Sequence, residues 1–331
     1  MSAATPGPAT VSDPAAVRRA RRMKTIRFIR EYAVLVALVV LFVGLSLSGK
    51  NFLTVPNLLN VLRQASIVGV IALAMTFVFI GGGFDLSVGA IFALGGALAA
   101  GLTLSFGVPV AFTVTLLVGG AIGLVNGLVI TKVRINPFVT TLGMLQIVGG
   151  AALLYTSAKP IRVDDEAFSW LGKGTIAGIP VPAIILVALF FISWFVLDRT
   201  RYGRYIFSIG SSSEASRLAG INVDVYRTST YVLTGVAAAF AGIMFASRIS
   251  VGAADVGAGI ELAAIAAVLV GGTSLLGGEG AIWRTGVGVL FFALLFNGFN
   301  LLNVQSFWQD IASGAIILIT VGVDAWSRSR R

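Results

Sequence analysis

Nine stretches of this 331-residue chain contain no Asp, Glu, Lys or Arg: 32–49, 64–84, 86–131, 135–158, 174–197, 228–247, 262–278, 285–309 and the shorter 311–323. A helix that crosses a bilayer needs about 20 mostly apolar residues. The run 86–131 is too long for one crossing, and Ser105-Phe106-Gly107-Val108-Pro109 is a turn signal that divides it. Ten helices are expected, near 31–48, 62–80, 86–104, 109–131, 138–157, 181–197, 229–248, 261–276, 286–303 and 308–325. In lipid only helices and closed barrels satisfy their own backbone polar groups. Runs this long without two-residue alternation specify helices. The chain therefore reads as an all-α membrane protein of about ten transmembrane helices.

Its charges carry the next inference. Charged residues make up 11% of the chain, against roughly 25% in an average soluble protein. The net charge is nevertheless +10, which fits either a nucleic-acid partner or a membrane. With the N-terminus placed in the cytoplasm and the helices alternating, 18 of the 24 basic residues fall on the cytoplasmic side. The other six are Lys50, Arg63, Lys159, Arg162, Lys173 and Arg248. The positive-inside rule thus puts both termini in the cytoplasm, and the charge labels orientation, not nucleic-acid binding. Residues 1–30 read as a basic cytoplasmic tail, 31–326 as one polytopic domain and 327–331 as a second basic tail. The long apolar run after the first tail is expected to be an uncleaved transmembrane helix.

The composition also excludes chemistry. There is no Cys and no His, so disulfides, Cys/His zinc sites and imidazole-assisted nucleophiles are ruled out. No metal site is expected. No G-x-x-x-x-G-K-[ST] phosphate loop occurs, and Gly172-Lys173-Gly174-Thr175 does not fit one. The chain has no means of hydrolysing a nucleotide alone. No ionisable residue falls at the centre of an expected span, which disfavours a proton-driven carrier.

Three carboxylates lie at span ends. Asp85 follows Gly81-Gly82-Gly83-Phe84, Glu261 opens the eighth expected helix and Asp310 opens the tenth. Each fits a cap at a positive helix terminus, a reading compatible with a further role. Asp85 is expected to cap the following helix and hold the glycine turn. Among neutral polar residues, Asn126, Thr140, Thr141, Asn297 and Asn300 lie in or beside spans. They either bond neighbouring helices or line a wet path for a hydroxyl-rich solute. Asn297 and Asn300, three apart, share a helix face. Asn136-Pro137-Phe138 has the form of a helix start, or shapes a cytoplasmic gate. Gly81-Gly82-Gly83, Gly271-Gly272 and Gly277-Gly278 mark breaks or re-entrant turns.

The largest cytoplasmic loop is 199–228. Glu214 to Ala219 has helical propensity, Ser213 is placed to cap it and Gly220 to end it. A surface helix inside a connector that needs only a few residues suggests docking of a soluble partner.

Four segments in order resemble the permease subunit of ABC importers for ribose and related monosaccharides. They are Gly82-Gly83-Phe84-Asp85-Leu86-Ser87-Val88-Gly89; Asn136-Pro137-Phe138 with Thr141-Leu142-Gly143; Arg201-Tyr202-Gly203-Arg204 leading to Glu214-Ala215-Ser216-Arg217-Leu218-Ala219-Gly220-Ile221; and Glu261-Leu262-Ala263-Ala264 through Gly271-Gly272-Thr273-Ser274 to Gly277-Gly278. The resemblance covers about 40–325. Phe84 stands where the family usually has Ile, Ser216 replaces the second Ala of its coupling motif, and Ala263 stands where members commonly have Asp. The resemblance implies a vitamin-B12-importer-like (type II) helical arrangement in the bacterial inner membrane. It implies two permease copies, or a pair with a sister permease, around the pore. A periplasmic or lipid-anchored sugar-binding protein would sit outside and a cytoplasmic ATPase subunit, which binds ATP and magnesium, inside. The chain itself needs no cofactor and is not an enzyme. Glu214, Ala215, Arg217 and Gly220 are then the expected ATPase-coupling residues. Gly82, Gly83, Asp85, Ser87, Gly271 and Gly272 form the gating turns. Asn126, Asn136, Thr140, Thr141, Glu261, Asn297 and Asn300 are the candidate path. The sugar stays open, as do importers of nucleosides, branched-chain amino acids or furanose signals, and an ATP-independent carrier.

Overall fold

A computed structural model describes residues 32–47 and 51–328. The basic tail expected at 1–30 lies outside the described residues. Thirteen helices occur in this part of the chain. They are α1 (Tyr32–Leu47), α2 (Val55–Ile80), α3 (Val88–Phe106), α4 (Val108–Leu128), α5 (Pro137–Thr156), α6 (Glu166–Lys173), α7 (Val181–Arg199), α8 (Arg201–Ser211), α9 (Ser213–Leu218), α10 (Val223–Ile249), α11 (Ile260–Val270), α12 (Ile282–Leu301) and α13 (Ser306–Arg328). A π turn, Val129–Val133, prolongs α4, so one apolar helix runs Val108–Val133. Two small ribbons complete the fold. β1 (Ile161–Arg162) pairs antiparallel with β4 (Val251–Gly252). β2 (Thr175–Ile176) pairs with β3 (Ile179–Pro180) through Ala177 and Gly178, both at positive φ as a tight hairpin turn requires.

Among the described residues, seven helices are long and apolar enough to cross a membrane: α2, α3, α4 with its π turn, α5, α7, α10 and α12. α1, α11 and the Phe307–Thr320 part of α13 are shorter apolar helices. The eighth expected span, 261–276, is cut short. α11 has 11 residues, a rise of about 16 Å, because the glycines at 271 and 272 close it. Two other helices start earlier than their apolar runs. α2 begins at Val55 with Pro56 in its first turn, and α10 begins at Val223. Arg227 is therefore a helical residue rather than a loop residue, and Arg63 lies well inside α2 rather than at its start. α13 begins four residues before Asp310, so Asp310 does not open it.

α2, α3 and α10 form the centre and are mostly buried, whereas α4, α5 and α7 leave most of their surface exposed. α10 packs on α2, α3 and α4, and α12 lies against α2 and α11. The α4–α10 contact is backbone to backbone. A Cβ on Gly119 would lie 2.5 Å from the Gly235 oxygen, and one on Gly127 would lie 2.7 Å from Thr228 Cα. Helices approach this closely in lipid only through small residues. The outward faces of α4, α5 and α7 carry large apolar side chains such as Leu117, Ile147, Leu154 and Phe191. That surface would be costly in water and is ordinary against lipid.

Candidate functional site

One end of the bundle gathers the three glycine turns at 81–83, 271–272 and 277–278. α2 stops in a hydrogen-bonded closure in which the amides of Gly81, Gly82 and Gly83 donate to the carbonyls of Phe77, Phe79 and Val78. Gly82 sits at φ +72, the left-handed conformation that such a closure needs. α11 stops identically. The amides of Gly271, Gly272 and Thr273 donate to Ala267, Leu269 and Val268, with Gly272 at φ +79. The two closures are tied together, because the amide of Gly278 donates to the Ile80 carbonyl at 2.9 Å. Gly210 of α8 lies in the same knot, where a Cβ would be 2.6 Å from the Gly278 nitrogen and would clash with the Ile80 oxygen. From α10, Arg227 Nη2 donates to the Gly81 carbonyl at 3.1 Å.

Asp85 lies just beyond the first closure and is fully buried. Its Oδ1 accepts from the Ser87 amide at 3.0 Å and from Ser87 Oγ at 2.6 Å, and its Oδ2 accepts from Thr234 Oγ1 at 2.9 Å. Asn126 Nδ2 donates to Ser87 Oγ at 2.9 Å. Tyr231 Oη bridges the Phe84 amide and carbonyl, both at 3.3 Å. The expected cap is corrected here. Ser87 is the residue that precedes α3, and its side chain makes no cap bond. Asp85 instead closes a turn onto the residue two places on and reaches across to α10. A buried carboxylate without a counter-charge depends on such donors.

The loop 199–228 holds two helices rather than one. α8 is capped by Thr200, whose Oγ1 accepts from the Gly203 amide at 3.4 Å. α9 is capped by Ser212, whose Oγ accepts from the Ala215 amide at 3.2 Å. The expected cap, Ser213, is instead the first helical residue. Glu214 and Ala215 are exposed in the first turn. Arg217 is exposed and pairs with the first turn of α10, its Nη2 2.6 Å from Asp224 Oδ1, while Lys132 Nζ lies 3.1 Å from Asp224 Oδ2. α9 also ends on a left-handed glycine. The amides of Gly220 and Ile221 donate to Arg217 and Ser216, and Gly220 has φ +82. Between these ends Leu218 is 86% exposed, a feature that the sequence reading missed. Its exposure follows from α9 being six residues long, too short to turn every apolar side chain inward.

The candidate path residues are not brought together. Asn136 caps α5, its Oδ1 accepting from the Phe138 amide at 2.8 Å. Thr141 is buried and bonds back to the Pro137 carbonyl at 2.9 Å, while Thr140 Oγ1 is buried without a hydrogen-bond partner. Asn126 belongs to the Asp85 network. Asn297 pairs reciprocally with Asn57 at 2.8 and 3.0 Å, at the opposite end of α2, about 35 Å away along that helix. Asn300 accepts from Gln309 Nε2 at 3.0 Å and is exposed, so it does not share a surface with the buried Asn297. Glu261 Oε1 accepts from the Gly259 amide at 3.2 Å, and its buried Oε2 faces Gly89 of α3 without a hydrogen-bond partner.

Residues 57–321 match the family described as branched-chain amino acid transport system / permease component. The chain is 40% identical over 309 residues to the ribose import permease protein RbsC of Escherichia coli (strain K12), covering 92% of this chain and 96% of that protein. It is 43% identical over 290 residues to RbsC of Bacillus subtilis (strain 168), covering 87% and 90%. It is 36% identical over 322 residues to the L-arabinose ABC transporter permease protein AraH of Azospirillum brasilense, covering 97% and 95%. No solved structure matches the chain. With four-fifths of its length inside the family match and these relatives covering nearly all of it, the chain belongs to the permease-component family of such transport systems.

Proposed function

We propose that the chain is the membrane subunit of an ATP-driven importer and forms half of the passage for a monosaccharide, ribose or arabinose in type. The observation that carries this reading is the knot of glycine closures, where α8, which leads directly into α9, rests on the end of α2 and on the turn that follows α11. A soluble motor that moves α9 would act on helix ends, not on a loose connector. Relatives named as ribose and arabinose permeases support the cargo. By the positive-inside rule the knot faces the cytoplasm. α1, α13 and α11, the last together with the non-helical segment before it that runs along α3, complete ten crossings in a type II arrangement, with both termini inside. ATP and magnesium belong to a separate ATPase subunit docked on α9, and a binding protein delivers sugar at the opposite face. The passage closes between two copies, or between this chain and a sister permease.

The test is reconstitution in proteoliposomes with an ABC ATPase subunit and a sugar-binding protein from the same genome. ATP-dependent uptake of labelled ribose or arabinose is expected. Uptake by this chain alone, without ATP, would establish a self-sufficient carrier instead. The family description favours one other cargo, a branched-chain amino acid, and labelled leucine entering in place of sugar would establish that reading.

A further inference from the structure

The connection between α4 and α5 borders a cavity of about 260 Å³ whose wall carries Arg134, Arg217, Arg227, Asn136 and one carboxylate, Asp224. Asp224 is already shared between Arg217 and Lys132. Counting Lys132 with the wall, four cations meet one anion, a local excess of three positive charges. Arg227 holds the Gly81 carbonyl with Nη2, but its Nε is buried without a hydrogen-bond partner. Arg134 is exposed and makes no ion pair among the described residues. It is also held at φ +63, a conformation rare for a residue other than glycine, asparagine or aspartate. That conformation ends the helix Val108–Val133.

The depth of the cavity narrows the occupant. Arg134 follows the apolar helix Val108–Val133, and α5 begins three residues later, so the cavity opens where two spans leave the membrane. Val133 is 64% exposed and Phe138 52% exposed, beside the arginines. Apolar side chains reaching outward next to the unpaired Arg134 guanidinium and a local excess of positive charge suit a headgroup with its acyl chains. Arginine forks pair well with phosphate oxygens, and basic pockets between spans recognise anionic lipid heads.

We propose that this cavity binds the phosphate of an acidic phospholipid from the adjoining leaflet. The bound phosphate would bridge Arg134 to Arg217 and so link the α4–α5 connection to α9. The proposal requires only that the chain spans a membrane, and holds whatever solute is carried.

The test is native mass spectrometry of the full chain in detergent, titrated with phosphatidylglycerol, phosphatidylcholine or inorganic phosphate. The parent chain is expected to retain phosphatidylglycerol in preference to phosphatidylcholine. Arg134→Asn, which suits the left-handed backbone, should weaken that preference about fivefold, the effect of one surface cation. Arg134→Lys should restore most of it, and an unchanged melting temperature separates this from misfolding. Equal retention of the two lipids by the parent would overturn the proposal, as would a full preference in Arg134→Asn. Displacement of phosphatidylglycerol by millimolar inorganic phosphate would assign the site to free phosphate instead. Should Arg134→Asn keep its lipid preference yet lose co-purification with the ATPase subunit, the cavity is a protein-docking surface and the lipid assignment fails.

Discussion

The amide of Gly278 donates to the carbonyl of Ile80 at 2.9 Å, so the residue that ends α2 is bonded to the turn that follows α11, 198 positions along the chain. Gly210 of α8 fills the space beside that bond. Three segments that are distant in sequence thus share one contact, and a displacement of α8 is felt at two spans together.

Replacing Gly210 by Ala should break that contact. The added Cβ has no room against the Ile80 oxygen and the Gly278 nitrogen, and overpacking of this kind costs about 1–3 kcal/mol. A lower melting temperature in detergent is expected, together with reduced sugar-stimulated ATP hydrolysis in the reconstituted complex. A variant with parental values for both would show that the knot tolerates separation.

Gly220→Val tests the exit of α9 differently. A Cβ there meets nothing within 4 Å, so crowding is absent and the cost lies in the backbone. At φ +82 an ordinary residue loses about 1–2 kcal/mol, enough to unwind the end of a six-residue helix. Membrane insertion should persist while uptake and coupled ATP hydrolysis are lost. Gly220→Asn should be milder, because asparagine tolerates this conformation. Normal substrate-stimulated ATPase activity in Gly220→Val would remove the coupling role.

Asp85→Ala should leave the Ser87 amide and Ser87 Oγ without their acceptor, while Thr234 Oγ1 keeps the Tyr231 carbonyl. Each buried orphan costs about 1–3 kcal/mol, so the variant should be markedly less stable and inactive. Asp85→Asn keeps one acceptor oxygen and should fall between the two, read by thermal unfolding and uptake. If Asp85→Asn transports normally and is as stable as the parent, the carboxylate is not what holds the turn.

The placement of the apolar helices was legible, because runs without charge and the glycine pairs between them are local signals. Helix starts were less so. α2 and α10 continue through Arg63 and Arg227 into polar first turns, where hydropathy falls although the hydrogen-bonded ladder does not. The likeness of the α2 and α11 endings was visible as Gly81-Gly82 and Gly271-Gly272. That they meet was not, since a contact 198 residues apart leaves no periodic trace. For the same reason Asn126 and Asn297 looked like parts of one path. Each turned out to bond a neighbouring helix at opposite ends of the bundle. Leu218 was hidden for another reason, as a single leucine in a motif of small residues carries no sign of which way it faces.

The central claim is that α9 receives the ATPase, and Leu218 offers a direct measurement. The chain has no cysteine, so Leu218→Cys introduces a single thiol on a side chain that the fold leaves exposed. In inside-out membrane vesicles that thiol should react with a membrane-impermeant maleimide when the chain is alone. It should be shielded, and should cross-link to the ATPase subunit, when that subunit is bound. Labelling that is unchanged by the ATPase, or that occurs only in right-side-out vesicles, would contradict the account.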